Sequence, residues 1–193
     1  MILSLVVFSI VSGVLTTVIG YYTPFVWMSA ILMAIGAGLL STLQTDSGEG
    51  KWIGYQIVFG AGVGFGMQQG LIMAQTVLPR KDIPIGTAML MFSQTLGGAI
   101  FISVGQNVFT NKLLSNIQSV VPDLNPGIVL STGATSLQKV IPAKFLPAVQ
   151  QAYNDTIIDT FYVAVAVAVM SALGAAFWEM RSVKGQKVQM GAA

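Results

Sequence analysis

The sequence predicts an all-α membrane protein, with five transmembrane helices and short amphipathic helices in one outer loop. Three observations carry that reading. Of 193 residues, 54% are hydrophobic and 8% are charged, whereas a soluble domain usually carries about 25% charged residues. The chain divides into runs of roughly 20 mostly apolar residues, the length that crosses a hydrocarbon core, separated by polar turns. The only three consecutive charges, Arg80-Lys81-Asp82, sit between two apolar arms rich in Gly and Gln, the pattern of a transmembrane hairpin.

The expected spans are roughly residues 2–20, 25–43, 53–78, 84–109 and 157–178. The first ends at the turn Gly20-Tyr21-Tyr22-Thr23-Pro24, and the second is closed by the polar run that ends at Lys51. The third and fourth are the arms of the hairpin, joined through residues 79–83. None of these four contains a charged residue within its apolar run. Residues 110–156 form an outer loop. Its start continues the fourth span to Pro122, a turn cluster follows at 123–127, and helical spacing returns from Ser136 on, with Pro142 and Pro147 near helix starts. After the fifth span comes a polar tail, 179–193.

Alternation of the loops puts the 20–25 turn, the 79–83 turn and the tail on one face. That face holds Arg80, Lys81, Arg181, Lys184 and Lys187 in few loop residues, so it is assigned to the cytoplasm. The other face holds Lys51, Lys112, Lys139 and Lys144, spread over much more chain. In the 79–83 turn, Asp82 is expected to cap the fourth span with help from Pro84. Asp159, the one carboxylate at the border of an apolar run, is expected to be solvated at the outer edge. The sequon Asn154-Asp155-Thr156 lies so close to the membrane that glycosylation is not expected.

Composition excludes several function classes. The chain has no Cys and no His, which removes disulfides, thiolate nucleophiles, imidazole bases and the usual zinc ligands. No cofactor or metal is expected. The formal net charge of +2 is too small to indicate a nucleic-acid partner; the partner of most of the surface is the lipid bilayer. Without a pair of Asp residues inside the spans, an intramembrane enzyme is not expected either. Met1 opens directly onto a span, with no basic segment or cleavage site of a signal peptide, as expected of a truncated chain.

Two sets of residues stand out within the spans. Gly62, Gly66 and Gly70 recur every four residues on one side of the third span, with Gly60 and Gly64 in an adjacent row; such spacing lets helix backbones approach closely in lipid. Gly97 and Gly98 offer the same in the fourth span. Gln68 and Gln75, seven apart, share a face of the third span, and Gln94 shares a face of the fourth with Gly98, Phe101 and Gly105. An amide in hydrocarbon needs a partner or water. Gln68, Gln75, Gln94 and Phe101 are therefore candidates for the wall of a small-molecule path, and interhelical hydrogen bonding is an equal alternative for the amides.

The run from Gly54 to Leu113, GYQIVFGAGVGFGMQQG through the PRKDIP turn to SVGQNVFTNKL, resembles the C-terminal part of fungal major facilitator superfamily transporters. Within these it is most similar to the fourteen-span drug:proton antiporters, which include pumps for toxins and multiple drugs. Segments TGATSLQKVIP and FLPAVQQAYNDTIIDTF carry the resemblance to the end of the chain, so that residues 1–193 look like a partial C-terminal domain. The resemblance implies proton-coupled efflux of small amphipathic molecules by rocking of two helical halves. It also implies a missing N-terminal transporter half with the acidic residues that couple protons, and a missing first helix of the C-terminal repeat. The expected location is the plasma membrane, with the vacuolar membrane as alternative. Export by this chain alone is not expected. The competing reading is a nontransporting membrane module that associates with or regulates a full-length relative.

Overall fold

The structure is a computed structural model, and it describes residues 1–44, 47–122, 126–132 and 136–177. Of the turn cluster expected at 123–127, residues 123–125 lie outside the described residues, as does the basic tail at 179–193, while Pro126 and Gly127 open a short helix instead. Among the described residues, eight helices follow in order: α1 (Ile2–Ile19), α2 (Thr23–Leu40), α3 (Glu49–Met67), α4 (Gln69–Val77), α5 (Ile83–Val120), α6 (Pro126–Thr132), α7 (Leu137–Val140) and α8 (Leu146–Ala176). No β-strand occurs among the described residues. Among the described residues, five helical stretches are long and apolar enough to cross a membrane: α1, α2, α3 with α4 as one span, α5 and α8.

Local chemistry explains the helix ends. Gly20 closes α1 with φ 84°, and its N–H donates to the Thr16 carbonyl; glycine takes that left-handed turn without strain. Pro24 then opens α2, where a missing N–H costs nothing. Asp82 does occupy the cap position of α5, with a proline in the first turn, but its side chain makes no capping bond. Its backbone is already helical, φ −100° and ψ −9°, whereas a capping side chain needs the extended conformation to reach back to the first N–H groups.

In the packing order, α3 lies between α1 and α2, α2 also touches α8, α8 lies along α5, and α4 meets α5. The two glycine rows of α3 serve two different neighbours. A Cβ at Gly62 would stand 2.6 Å from the Met33 backbone nitrogen of α2, and one at Gly64 would stand 2.6 Å from the Leu5 carbonyl of α1. On α2, a Cβ at Gly36 would stand 2.6 Å from the Cα of Phe59. Backbone meets backbone at these points, and only glycine allows it.

Most buried positions of the spans are accordingly small, with Phe25, Leu40, Phe65 and Gln69 as the larger exceptions. In α1 they are Ser9, Ser12 and Thr16 alone, while Ile2, Leu3, Ile10, Val14 and Val18 are exposed. The helix is amphipathic in the sense opposite to a soluble one, with its polar stripe turned inward.

The outer region follows different rules. With 38 residues, α5 is about 57 Å long at 1.5 Å per residue, well beyond the ~30 Å of hydrocarbon. The excess projects at the end where α8 begins. There Leu113, Ile117, Val129, Leu137, Ile141 and Val149 form a buried aliphatic cluster. The short helices expected in this loop are α6 and α7, and they fold onto the projecting ends of α5 and α8 as a small cap with its own core. Water on the outside supplies the driving force that lipid lacks. Below the cap, Asn116 donates to Thr156 at 3.0 Å, and Lys112 pairs with Asp159 at 3.2 Å. Asp159 thus has a cationic partner.

These contacts separate the glycines by consequence. Gly62→Ala and Gly64→Ala are expected to lower stability by about 1–3 kcal/mol each, the usual cost of overpacking. A methyl group added at Gly97 or Gly98 would meet nothing within 4 Å, so Gly97→Ala should be neutral or stabilise the helix by about 0.5–1 kcal/mol. Denaturation of the purified chain in detergent, followed by helical circular dichroism, checks both.

Candidate functional site

The third span is interrupted at Gln68, which ends α3 and precedes α4. Its N–H reaches the Gly66 carbonyl rather than a carbonyl four residues back, so the helix tightens and restarts. The residue that follows, Gln69, is 1% exposed. Its Nε2 donates to Ser12 Oγ at 2.6 Å and to Thr16 Oγ1 at 3.2 Å, and its Oε1 accepts from Thr16 Oγ1 at 3.4 Å. Ser12 Oγ donates in turn to the Phe65 carbonyl at 2.9 Å. One turn along α1, Ser9 Oγ accepts from Gln68 Nε2 at 3.1 Å. On the other side of α3, Ser29 Oγ of α2 donates to the Gly62 carbonyl at 2.7 Å. The described buried side-chain polar atoms all have partners.

Beside this network, two adjoining cavities lie between the α2–α3 side and the α5–α8 side. The one nearer the 79–82 turn, about 470 Å³, is lined by Ser29, Gly66, Gln69 and Gln94 among mostly apolar groups. The middle one, about 480 Å³, is bounded by Phe59, Phe101, Phe161, Gly98, Gly105 and Thr160. Met33 and Ser171 line both. Together they make an amphipathic cleft, with amides and a hydroxyl at one end and aromatic rings toward the other. The size suits a small organic molecule.

The sequence-derived candidates distribute unevenly around this cleft. Gln94 and Phe101, two helical turns apart on α5, line its two halves. Gln68 is turned to Ser9 of α1, and Gln75 is exposed on α4; the linings of the two cavities include neither. Of the glycines, Gly62 and Gly66 face α2, Gly66 against the Ser29 hydroxyl, while the nearest atom to a methyl at Gly70 would be Leu90, at 3.8 Å. Gly97 and Gly98 meet no neighbour within 4 Å in this way.

Sequence reasoning counts Gln69 among the amides that should point into the bundle without singling it out, and it passes over Ser12 and Thr16. The signal was present: Ser9, Ser12 and Thr16, spaced three and four apart, are one polar stripe on an otherwise aliphatic helix. Such a stripe requires a hydrogen-bonding partner inside the bundle.

Fold and site together define a multi-pass α-helical membrane protein whose spans enclose a partly polar cleft. Over its whole length the chain is similar to part of fungal major facilitator superfamily efflux pumps. It is 54% identical over 193 residues to an MFS-type efflux pump of Arthroderma benhamiae, covering 100% of this chain and 36% of that protein. An MFS acetylaranotin efflux transporter of Aspergillus terreus is 47% identical over 173 residues, 90% of this chain and 38% of that protein. The aspyridones efflux protein of Neocamarosporium betae is 47% identical over 183 residues, 94% and 32% respectively. The chain thus spans about a third of the length of the curated relatives it matches. No family model and no solved structure matches it.

Because Gln69 holds two hydroxyls of α1, those of Ser12 and Thr16, Gln69→Leu is expected to cost about 1–3 kcal/mol by leaving buried hydroxyls short of a partner. The exposed Gln75→Leu should stay within about 0.5 kcal/mol. Denaturation in detergent measures the difference, and hydrogen exchange should rise in the Ser9–Thr16 half of α1 in the first variant alone.

Proposed function

We propose that the chain forms one wall of a proton-coupled efflux transporter that exports small amphipathic molecules by alternating access. The observation that supports this most is the extent of the likeness to efflux pumps, which runs through all five spans and the cap. Relatives named for aspyridones and acetylaranotin export favour secondary metabolites or drugs as cargo, transport rather than catalysis as the task, and the plasma membrane as the place. On this reading Gln94 and Phe101 contact cargo on the α5 side. Gln68 and Gln75 contribute where the opposite wall meets α4.

On this reading the opposite wall is an N-terminal transporter half, as the resemblance implies. Much of α5 faces outward, including Gln94, Gln106 and Phe101, and amides on an exposed face of a span need protein or water beside them. The proton site also belongs there. Among the described residues, the carboxylates Glu49, Asp82, Asp155 and Asp159 stand at or beyond the ends of the apolar runs, and Asp159 is paired with Lys112. The same outward amides favour one second reading, a nontransporting module that docks on a full-length transporter.

In pump-deficient yeast, the chain alone is expected to leave retention of a fluorescent amphipathic drug unchanged. Joined to the N-terminal part of the Arthroderma relative, it should restore export that a protonophore abolishes. Gln94→Ala and Phe101→Ala in that fusion should each lower export severalfold, with expression unchanged. Proton-driven export by the purified chain in liposomes would overturn the one-wall reading. Loss of export by an intact pump on co-expression of the chain would support the docking module instead.

A further inference from the structure

A third cavity, about 340 Å³, lies toward the cap, where the end of α2, the start of α3 and the first half of α8 meet. From α3 it takes Glu49, Trp52 and Gln56, spaced three and four apart and so on one helix face. From α8 it takes Asn154, Ile157 and Phe161, again three and four apart. Leu40 and Leu43 of the α2 end close it from below. With Gln44 and Ser47 from the connection between α2 and α3, the lining brings a carboxylate, an indole, three amides, a hydroxyl and an aliphatic wall into one enclosure.

The polar groups are unevenly committed. Asn154 Nδ2 donates to the Leu43 carbonyl at 3.4 Å, and Gln56 Oε1 accepts from the Met1 ammonium at 3.3 Å. Glu49 forms no ion pair among the described residues, where the one salt bridge joins Lys112 to Asp159. Lys51, two positions along the same helix, points about 200° around the axis and off this face. Glu49 stands in the first turn of α3, where the helix dipole favours its negative charge. Trp52 remains 51% exposed, so a face of its ring is open to an incoming group.

We propose that this enclosure binds small organic cations, a quaternary or protonated amine on an apolar body. The Glu49 carboxylate supplies charge, the Trp52 ring supplies cation–π attraction, and Leu40, Ile157 and Phe161 receive the apolar part. A volume at the low end of ligand sites selects small molecules over drug-sized ones. The site needs only α2, α3 and α8, so it stands whether or not the chain transports. The choline headgroup of a membrane lipid carries the same chemistry as a free quaternary ammonium, and the test separates the two.

Equilibrium dialysis of radiolabelled benzyltrimethylammonium against the full chain in maltoside micelles, with empty micelles subtracted, reads binding directly. One saturable site is expected. Glu49→Gln and Trp52→Leu should each weaken it at least tenfold while helical circular dichroism is unchanged, and Glu49→Asp should keep most of the affinity. Displacement by dihexanoylphosphatidylcholine at matching concentrations identifies the lipid headgroup as the source; resistance to it identifies free cations. Nonsaturable uptake, or equal binding in E49Q and wild type, overturns the proposal and leaves the enclosure a wet seam between helices.

Discussion

Everything in the membrane part depends on how closely the backbone of α3 can approach the backbones of α1 and α2. Hydrocarbon gives two helices no reward for burying leucine against each other, because lipid tails are as apolar as leucine. What remains is dispersion at short range and hydrogen bonds that water would otherwise take. Glycine rows at 60/64 and 62/66 bring both neighbours within contact of the α3 main chain. Once there, the hydroxyls of Ser4, Ser12 and Ser29 donate to carbonyls of Ile57, Phe65 and Gly62. These bonds are available only because no side chain intervenes. Remove the glycines and the hydroxyls lose their acceptors as well.

The cap shows the same chain solving the opposite problem. Past the bilayer, α5 and α8 enter water, and the buried residues there are Leu, Ile and Val where those of the spans are largely Ser, Thr, Gly and Ala. Phe109 and Tyr153, with ring centroids 5.5 Å apart and edge to face, stand where the two regimes meet. Together with Asn116–Thr156 and Lys112–Asp159 they bind α5 to α8 along their outer turns. Along the spans α8 also packs against α2, whereas α5 has its buried residues, Leu113 and Ile117, only at the cap end.

Much of this was legible in the sequence because apolar length and glycine spacing act locally. Five spans, the Gly20 stop and the proline starts follow from rules that look at a few neighbouring residues. The two glycine rows could be seen too, although periodicity alone does not say that one row serves α1 and the other α2. The amides were harder. Pairing Gln68 with Gln75 by a spacing of seven assumes an unbroken helix, and the helix restarts at Gln68. Adjacent residues on a helix differ by about 100° in direction, so a small local tightening decides which of two neighbouring glutamines enters the bundle. Gln69 does, because the Ser12–Thr16 stripe on α1 is there to receive it. That is a long-range fact, set by which helices touch. The packing of α6 and α7 onto α5 and α8 was hidden for a related reason: an amphipathic segment does not declare whether its apolar face meets lipid headgroups or another helix.

The break at Gln68 has a mechanical consequence. Above it, α3 is fastened on two sides by close contacts that leave no room to slide. Below it, α4 leaves α1 and α2 and lies against α5, with Gln69 as its last tie to the fixed side. The helix is therefore divided between two neighbours at a point where its backbone hydrogen bonding is already weakened. Gln69 also lines the cleft that Gln94 of α5 enters from the other side. A molecule that hydrogen-bonds both amides would join the fixed part of the bundle to its less supported part, and its arrival or departure would act on that joint first. The buried amide is thus a structural tie and a cavity wall at once, and the two readings of membrane glutamines need not exclude each other here.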